Sequence, residues 1–286
     1  MQQTASHNRQ KKLAVINDFC GFGRCSIAVA LPIISAMHIQ CCPLPTAIFS
    51  DHTGFESFFC EDFTEHMQSY AGEWEKLGLH FDGIATGFLG SARQIDIVKD
   101  FLARFKGEHT KVLVDPVMGD YGKLYPTYTP ELAGRMHELL RFADLLTPNL
   151  TEACILTNTP YREDFTEQEL TVLCERFSES GPQEIVISGI HLGDDLGNFV
   201  YSQGETAMLC AHRVGGYRSG TGDVFGAILA ADLVNGEPLE ASVRKAADFI
   251  TKTILYTQKL GVPDTDGICF EEYVWELGQT TKEVAL

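Results

Sequence analysis

The sequence predicts a three-layer α/β/α fold, in which a central, mostly parallel sheet lies between two layers of helices. Short apolar runs of strand length alternate with longer stretches whose apolar residues recur at helical spacing. This alternation is typical of parallel sheets, because helices join their successive strands. The composition, 44% hydrophobic and 21% charged over 286 residues, supplies enough apolar surface for a large core.

The first 120 residues supply four strands and three helices. Apolar runs predict strands at 12–18, 41–50, 81–90 and 111–120. Helical spacing predicts helices at 25–37, 63–78 and 91–106. Pro32 marks a kink or a restart in the first helix, and Gly78 ends the second. Two prolines in 41–50 remove backbone donors, so we expect that strand at an edge or with an irregular start.

The second half continues this alternation through 143–156 and closes with helices. We expect a helix at about 166–180 and a strand at 184–188. Two further runs, 198–202 and 205–214, flank a Gln-Gly pair and predict a hairpin. The last helices are predicted at 221–235 and 239–260, with one short helix at 269–277.

The domain organisation is predicted to be simple. No internal repeat, low-complexity segment or linker interrupts the alternation. We therefore expect residues 1–286 to form a single domain, with a polar extension at 1–11 and a polar tail at 279–286.

Charge and cysteine content limit the classes of partner and the compartment. The formal net charge of −17 makes nucleic acid and anionic membranes poor partners, because both repel an acidic surface. The nine cysteines show no C-x-x-C spacing, which indicates reduced thiols. We find neither a signal peptide nor an apolar run of membrane-spanning length, so we expect a cytoplasmic protein.

Polar residues concentrate where the predicted strands end. They occur at 17–18, 50–53, 86–88, 115, 120, 147–149 and 188–189. Parallel sheets bind their ligands beyond the carboxyl ends of the strands, so these positions predict a functional site.

The stretch Gly-Thr-Gly-Asp at 220–223 directly precedes an apolar helix. Glycines permit close backbone approach, and the first helical turn offers free N–H groups at the positive end of the dipole. These features predict an anion site. Asp223 would repel an anion, which makes sense if it takes a proton from an attacking alcohol during phosphoryl transfer. Ordinary helix capping by Thr221 and Asp223 is the alternative.

A second glycine-rich turn, GFGRCS at 21–26, offers a competing interpretation. It follows the first strand and partly matches the dinucleotide-binding pattern G-x-G-x-x-G, and Asp51 lies near the end of the second strand. The third glycine is missing. A nicotinamide dinucleotide oxidoreductase is therefore kept only as an alternative. No P-loop motif G-x-x-x-x-G-K-[ST] is present.

Five segments resemble the ribokinase-like (PfkB-type) superfamily, in the order of that family. They are FSDHTGF at 49–55, TGFLGS at 86–91, VDPVMGD at 114–120, LTPNLTEA at 146–153 and GTGDVFGAILA at 220–230. They are most similar to its pyridoxal kinase branch, and INDFCGFGRCS at 16–26 is similar to bacterial pyridoxamine kinases. The similarity covers roughly residues 12–260 and implies a ribokinase-like fold.

The resemblance implies transfer of a phosphoryl group from ATP, with Mg²⁺, to the 5′-hydroxymethyl group of pyridoxal, pyridoxamine or pyridoxine. It implies that Asp223 is the general base and that the transferred group is bound by Gly220, Thr221 and Gly222. ATP would contact Asp115, Asn149 and Ser188. The metal site would comprise Asp115, Asp120, Thr147 and Glu152. A monovalent cation (K⁺ or Na⁺) and a homodimer are also implied.

The resemblance implies that the vitamer contacts Asp18, His52, Thr53 and Phe88. Purely structural roles are the alternative for His52 and Phe88. The better-known pyridoxal kinases have a serine at the position of Asp18 and usually a tyrosine at that of Phe88. A carboxylate pairs better with a protonated ring nitrogen or an aminomethyl cation, so Asp18 would favour pyridoxamine.

These departures leave a hydroxymethylpyrimidine kinase of thiamine synthesis as the main alternative, because its chemistry is the same. A non-catalytic vitamer carrier on the same fold is a further alternative.

Overall fold

The computed structural model describes residues 6–279, and a nine-stranded sheet lies at its centre. The strands in chain order are β1 (Lys12–Phe22), β2 (Gln40–Asp51), β3 (Cys60–Asp62), β4 (Gly83–Thr86), β5 (Lys111–Val114), β6 (Gly119–Asp120), β7 (Lys123–Leu124), β8 (Leu145–Leu146), β9 (Glu184–Leu192), β10 (Asp195–Ser202) and β11 (Glu205–His212). Strands β6 and β7 form a separate hairpin.

The order across the sheet is β11-β10-β9-β8-β5-β4-β1-β2-β3. The six strands from β9 to β2 are parallel, and β3, β10 and β11 are antiparallel additions at the two edges. The predicted hairpin is confirmed as β10 and β11, and both turn residues, Gln203 and Gly204, have positive φ.

Helices cover both faces of the sheet. They are α1 (Ser26–Ala36), α2 (Thr64–Lys76), α3 (Ala92–Phe105), α4 (Pro130–Arg135), α5 (Leu150–Leu156), α6 (Glu167–Ser178), α7 (Thr221–Asn235) and α8 (Leu239–Leu260). Helices α1, α7 and α8 bury their apolar residues in one core, and α2 to α6 bury theirs in another. The predicted three-layer fold is confirmed.

Strand β1 shows how the sequence builds two cores. Ala14 and Ile16 contribute to the core under α2 to α6, whereas Leu13 and Val15 contribute to the core under α1, α7 and α8. Successive strand residues face opposite sides of a sheet. A strand covered on both faces therefore needs the continuous apolar run from which it was predicted.

The two prolines of β2 lie where this strand has no second neighbour. Pro43 and Pro45 pair with β1 on one side, and β3 pairs only with residues 47–49 on the other. A missing backbone donor costs little at such an edge, so the expectation drawn from the prolines is confirmed.

Two local expectations need correction. The strand predicted at 111–120 ends at Val114, because the chain turns at Asp115-Pro116 into the β6–β7 hairpin. The helix predicted at 269–277 is only partly present: Ile268, Cys269 and Phe270 are buried in a segment without regular secondary structure, and a short 3₁₀ helix, Val274–Gly278, follows.

The sequence analysis also missed β3, α4 and the 3₁₀ helix Met136–Phe142 that continues α4. A signal for α4 was present, since Thr129 caps the helix and Pro130 occupies its first position.

Several expectations about the chain ends and environment stay predictions. Residues 1–5 of the polar extension and 280–286 of the tail lie outside the described residues. A single domain over 1–286 also stays a prediction. Within 6–279, no helix combines the length and apolar character needed to cross a membrane.

Candidate active site

A cleft of about 370 Å³ opens at the carboxyl ends of the parallel strands. Its polar lining comes from β6 and β9, the loops after β5 and β8 and the start of α5, and it includes Asp115, Asp120, Thr147, Asn149, Glu152 and Ser188. Its apolar lining includes Val214, Phe225, Ile250 and Ile254, from the loop before α7 and from α7 and α8. An apolar pocket with a few converging polar groups is the usual form of a small-molecule site.

The N-terminus of α7 points into this cleft without a side-chain cap. Gly220, the residue before the helix, adopts a left-handed conformation with φ 79°, and no side chain hydrogen-bonds to the cap position. A Cβ atom at Gly220 would lie 1.9 Å from the carbonyl oxygen of Arg24, so only glycine fits. Val224 N–H pairs with Gly220 O, which leaves the earlier N–H groups of the helix for a ligand.

The capping alternative for Thr221 and Asp223 does not agree with their hydrogen bonds. Thr221 Oγ1 donates to the carbonyl of Arg218 at 3.3 Å. The Asp223 carboxylate accepts from Asn17 Nδ2 at 3.4 Å and from the backbone N–H of Ser26. Both side chains therefore bond outside the first turn of α7, and the amides of that turn stay available.

Asn17 is a site residue that the sequence analysis did not select. Its Oδ1 accepts from the backbone N–H of Asp18 at 2.9 Å and of Phe88 at 2.8 Å, so its Nδ2 is directed toward Asp223. A Cβ at Gly87 would lie 2.6 Å from this amide. Asn17 thus links the middle of β1 and the loop after β4 to Asp223. Its position in the Asn-Asp pair that ends the predicted strand was the available signal.

Asp223 carries an electrostatic environment suited to accepting a proton. Burial raises the pKa of its carboxyl group, and hydrogen bonds from Ser26 and Asn17 and the nearby His52 oppose that rise. A carboxylate with a raised pKa is a better proton acceptor near neutral pH.

Asp18 lies near Asp223, and both Asp18 and Phe88 lie outside the lining of the large cleft. Burial raises the pKa of Asp18 to about 7, the Ser26 hydroxyl lowers it, and the charge of Asp223 raises it. Phe88 is half-buried and packs against a small apolar cluster comprising Cys20, Cys25, Ala47 and Phe49. A carboxyl group next to an apolar patch could bind a flat cationic ring.

His52 and Thr53 are placed differently from Asp18. His52 Nδ1 accepts from Gly54 N–H at 3.0 Å, and His52 Nε2 donates to the carbonyl of Thr265 at 2.7 Å. Both ring nitrogens are thus engaged by backbone, which favours the structural alternative for His52. Thr53 is exposed in the turn after β2. Vitamer contacts by His52 and Thr53 stay predictions.

Asn149 and Glu152 form a capping box at the start of α5. Asn149 Oδ1 accepts from Glu152 N–H at 2.9 Å, and Asn149 Nδ2 donates to the carbonyl of Gly119. The two oxygens of Glu152 accept from the N–H groups of Met118 and Asn149. These side chains therefore hold α5 against the loop after β5, and direct contacts to ATP or metal stay predictions.

Asp115 and Thr147 have the bonding capacity that a magnesium site needs. The hydroxyl of Thr147 is buried without a hydrogen-bond partner among the described residues. Burial and the charges of Glu152 and Asp223 raise the pKa of Asp115, and a bound cation would relieve this repulsion. Within 6–279, no three His, Cys, Asp or Glu residues form a complete metal cluster. Mg²⁺ fits such a site, since it binds to few carboxylates, water and substrate phosphates.

Asp120 and Ser188 complete the polar lining. Asp120 Oδ1 accepts from the N–H of Tyr121, and burial raises the pKa of the Asp120 carboxyl group. Ser188 N–H donates to the carbonyl of Pro148, which places the middle of β9 beside Asn149. Their predicted contacts to metal and nucleotide are untested.

The glycine-rich turn at 21–26 is occupied by the protein itself. A Cβ at Gly21 would lie 3.0 Å from the carbonyl of Ser50, and one at Gly23 would lie 2.5 Å from the ring of His52. These glycines permit close approach between loops. They leave no open backbone for a pyrophosphate, which argues against the dinucleotide alternative.

Comparison with known proteins agrees with this geometry. The family model described as phosphomethylpyrimidine kinase matches residues 73–266, more than half of the chain. The chain belongs to the phosphomethylpyrimidine kinase family. Its sequence is 33% identical to the hydroxymethylpyrimidine/phosphomethylpyrimidine kinase of Haemophilus influenzae over 181 residues. That alignment covers 61% of this chain and 65% of the Haemophilus enzyme, just under two thirds of its length.

Two solved structures are similar to this chain over nearly its whole length. A Bacteroides thetaiotaomicron protein described as a candidate phosphomethylpyrimidine kinase is 34% identical, covers 98% of both chains and superposes with a TM-score of 0.94. A second crystal form of that protein contains pyridoxal and superposes with a TM-score of 0.92 at 35% identity, over 96% of this chain and 98% of that one.

Pyridoxal kinase from Lactobacillus plantarum is 26% identical, covers 94% of this chain and 97% of its own, and has a TM-score of 0.86. The predicted ribokinase-like fold and the family resemblance are confirmed. The role of each site residue stays a prediction.

The packing around Gly220 yields a test of the turn at 220–222, which we call the anion-binding turn after the site predicted there. Gly220→Ala should destabilise the protein by about 2–5 kcal/mol, because a left-handed conformation and a steric clash add together. Gly236→Ala is the matched control, since Gly236 has φ 78° but nothing lies within 4 Å of the added Cβ. It should cost only about 1–2 kcal/mol. Urea unfolding measures both values, and equal costs would show that the contact with Arg24 is unimportant.

Proposed function

We propose that this protein is a kinase that transfers the terminal phosphoryl group of ATP to the hydroxymethyl group of a small heteroaromatic alcohol. One observation carries the proposal: the uncapped N-terminus of α7 and the Asp223 carboxylate lie at the junction of two different environments. On one side is the large cleft with an apolar end, suited to a nucleotide. On the other are Asp18 and Phe88, suited to a flat polar ring.

The geometry supports a direct transfer. The acceptor oxygen forms a bond to the terminal phosphorus of ATP as the bond from that phosphorus to the bridging oxygen breaks, and ADP leaves. Asp223 takes the proton of the hydroxyl group. The N–H groups at the start of α7 bind the charge on the oxygens of the transferred group. Asn17 keeps the carboxylate of Asp223 directed at the acceptor side.

Mg²⁺ would be held by Asp115, Asp120 and the Thr147 hydroxyl, with Glu152 acting through the backbone. When bound it would neutralise charge on the phosphate oxygens of ATP. A monovalent cation near this group and a homodimer stay predictions from the family resemblance.

We propose vitamin B6 vitamers as the acceptors, giving their 5′-phosphates. The Bacteroides protein that is 35% identical over 96% of this chain was crystallised with pyridoxal, which supports this choice. Hydroxymethylpyrimidine is the second candidate, since the Haemophilus relative carries that activity in its name. Both acceptors present a hydroxymethyl group on a nitrogen heterocycle, so the same site chemistry serves either.

An ATP-consumption assay with four acceptors tests the proposal. We expect ADP release with pyridoxal, pyridoxamine or pyridoxine, with kcat/KM about tenfold or more above that for hydroxymethylpyrimidine. Mass spectrometry would identify the phosphorylated product. A preference for hydroxymethylpyrimidine would support the second candidate. Pyridoxal binding without ADP release would indicate a vitamer carrier and defeat the kinase proposal.

The role of Asp223 is tested by Asp223→Asn. Loss of the general base should lower kcat by about 10²–10⁴-fold while the dissociation constant of the acceptor changes little. Asp232→Asn is a control on the same helix, because Asp232 is buried and pairs with Lys245. It should leave kcat per folded molecule unchanged. Equal turnover by Asp223→Asn and the parent would remove Asp223 from the mechanism.

The role of Asp18 is tested by Asp18→Asn, which keeps the shape and removes the charge. The ratio of kcat/KM for pyridoxamine to that for pyridoxine should fall about tenfold, because a charge-assisted hydrogen bond to the aminomethyl group is lost. An equal fall in kcat/KM for both vitamers would show that Asp18 pairs with the ring nitrogen, which both vitamers share. Unchanged values for every vitamer would contradict any charge pairing by Asp18.

The same pairing predicts a pH dependence. Burial raises the pKa of Asp18 to about 7, so its carboxyl group is ionised above that pH and protonated below it. Preference of the parent for pyridoxamine should therefore be present at pH 8 and decline as the pH falls through 7. The Asp18→Asn variant should show no such decline in the same assay.

A further inference from the structure

The segment 262–267, which follows α8, contacts three loops of the candidate active site without lining the large cleft. We call this segment the connector. The loops are the turn before α7, the turn after β1 and the turn after β2. The first belongs to the anion-binding side of the site, and the other two belong to the acceptor side.

Arg218 joins the connector to the turn before α7. Its Nη1 lies 3.2, 3.3 and 3.4 Å from three carbonyl oxygens of the connector, those of Val262, Pro263 and Gly267. Its Nη2 pairs with the carboxylate of Asp264 at 3.0 Å. Arg218 is only 7% exposed. A buried guanidinium with four acceptors is a rigid link, since its planar donors are fixed relative to one another.

Two acceptor-side loops reach the same connector. His52 Nε2 donates to the carbonyl of Thr265 at 2.7 Å, which ties down the turn after β2. Arg24 Nη1 donates to the carbonyl of Asp266 at 3.1 Å, which ties down the turn after β1. Adjacent connector residues thus hold both loops through their backbone oxygens.

Close backbone packing completes the link. The turn containing Arg24 lies between two glycines: a Cβ at Gly220 would be 1.9 Å from the Arg24 carbonyl oxygen, and one at Gly267 would be 2.9 Å from Arg24 Cβ. The anion-binding turn, the turn after β1 and the connector therefore stack with no room for a side chain between them. Movement of one must displace the others.

We infer that the connector fixes the acceptor side of the active site relative to the anion-binding turn, and that Arg218 is the positioning residue of this link. The inference rests on the proposed function, since phosphoryl transfer joins an acceptor on one side to a phosphate on the other. Direct transfer requires the reacting atoms to approach within about 3–3.5 Å, and a displacement of about 1 Å costs about 10²-fold in rate. Arg218 also lines the large cleft, but its guanidinium nitrogens bond to the connector, so we assign its effect to the loops that it anchors.

Arg218→Met tests this role, with Arg218→Lys as the conservative variant and Arg104→Met as the control. Arg104 is matched, because it is also mostly buried, pairs with carboxylates of Glu75 and Asp100, and has an Nε without a partner among the described residues. It lies on α3, outside the cleft lining. We expect Arg218→Met to lower kcat per folded molecule about 10–100-fold, with a pyridoxal dissociation constant within about threefold of the parent. Arg218→Lys should recover part of the loss, and Arg104→Met should match the parent.

Hydrogen exchange supplies a readout that does not depend on activity. Residues 52–55 contact the connector through the bond from His52 to Thr265. Arg218 bonds to other connector residues and makes no hydrogen bond to 52–55 among the described residues. Arg218→Met should speed amide exchange at 52–55 as well as at 215–222, and Arg104→Met should leave both unchanged. Faster exchange confined to 215–222 and 262–267 would show a local anchor and overturn the inference.

The outcomes separate this inference from the proposed function. A parent that phosphorylates no acceptor defeats the proposed function, and exchange at 52–55 then decides whether the connector links the loops. An active parent whose kcat is retained in Arg218→Met overturns the inference alone. If Arg218→Met does not fold, kcat and amide exchange at 52–55 are measured for Arg218→Lys instead, and the same outcomes apply.

Discussion

The uncapped N-terminus of α7 is the feature on which the rest of the site depends. Under the proposed function, a chain with a formal net charge of −17 would bind a phosphate beside Asp115, Asp120 and Asp223, whose carboxylates repel it. The partial positive charge and free N–H groups of the first helical turn supply the opposing attraction. Gly220 makes this possible, because a Cβ would strike the Arg24 carbonyl and force the turn away from β1.

The same arrangement explains why the carboxylates of the site have perturbed acidities. Burial raises the pKa of Asp18, Asp115 and Asp223, and the proximity of Asp223 adds to the rise at the other two. Such repulsion costs folding free energy, and within residues 6–279 none of these three side chains forms a compensating ion pair. Groups of this kind mark functional sites, where a cationic ligand or a proton in transit relieves the repulsion. The surrounding sheet, packed on both faces, supplies the rigidity that holds them together.

Much of the fold could be predicted because the physical cause of each strand and helix was local. The apolar run of β1, the edge prolines of β2 and the two long C-terminal helices all appear in the sequence as periodicity or missing donors. Residues at predicted strand ends were expected to converge. Asp115 and Thr147 directly follow β5 and β8, and the strand register places Asp18 and Ser188 near these ends, although β1 and β9 continue beyond them. The roles of Asn17, Arg218 and the connector could not be predicted, because they arise from contacts between residues more than 40 positions apart. His52 illustrates the same limit, since its bond to Thr265 spans 213 positions.

The most direct test of the central claim is a crystal structure of the protein with ADP, Mg²⁺, aluminium fluoride and pyridoxine. Aluminium fluoride imitates the phosphoryl group during transfer. The fluoride ligands should lie within hydrogen-bonding distance of backbone N–H groups at 221–223, and the pyridoxine hydroxymethyl oxygen should contact the carboxylate of Asp223. An aluminium fluoride bound away from the start of α7, or a hydroxymethyl group directed away from Asp223, would contradict it.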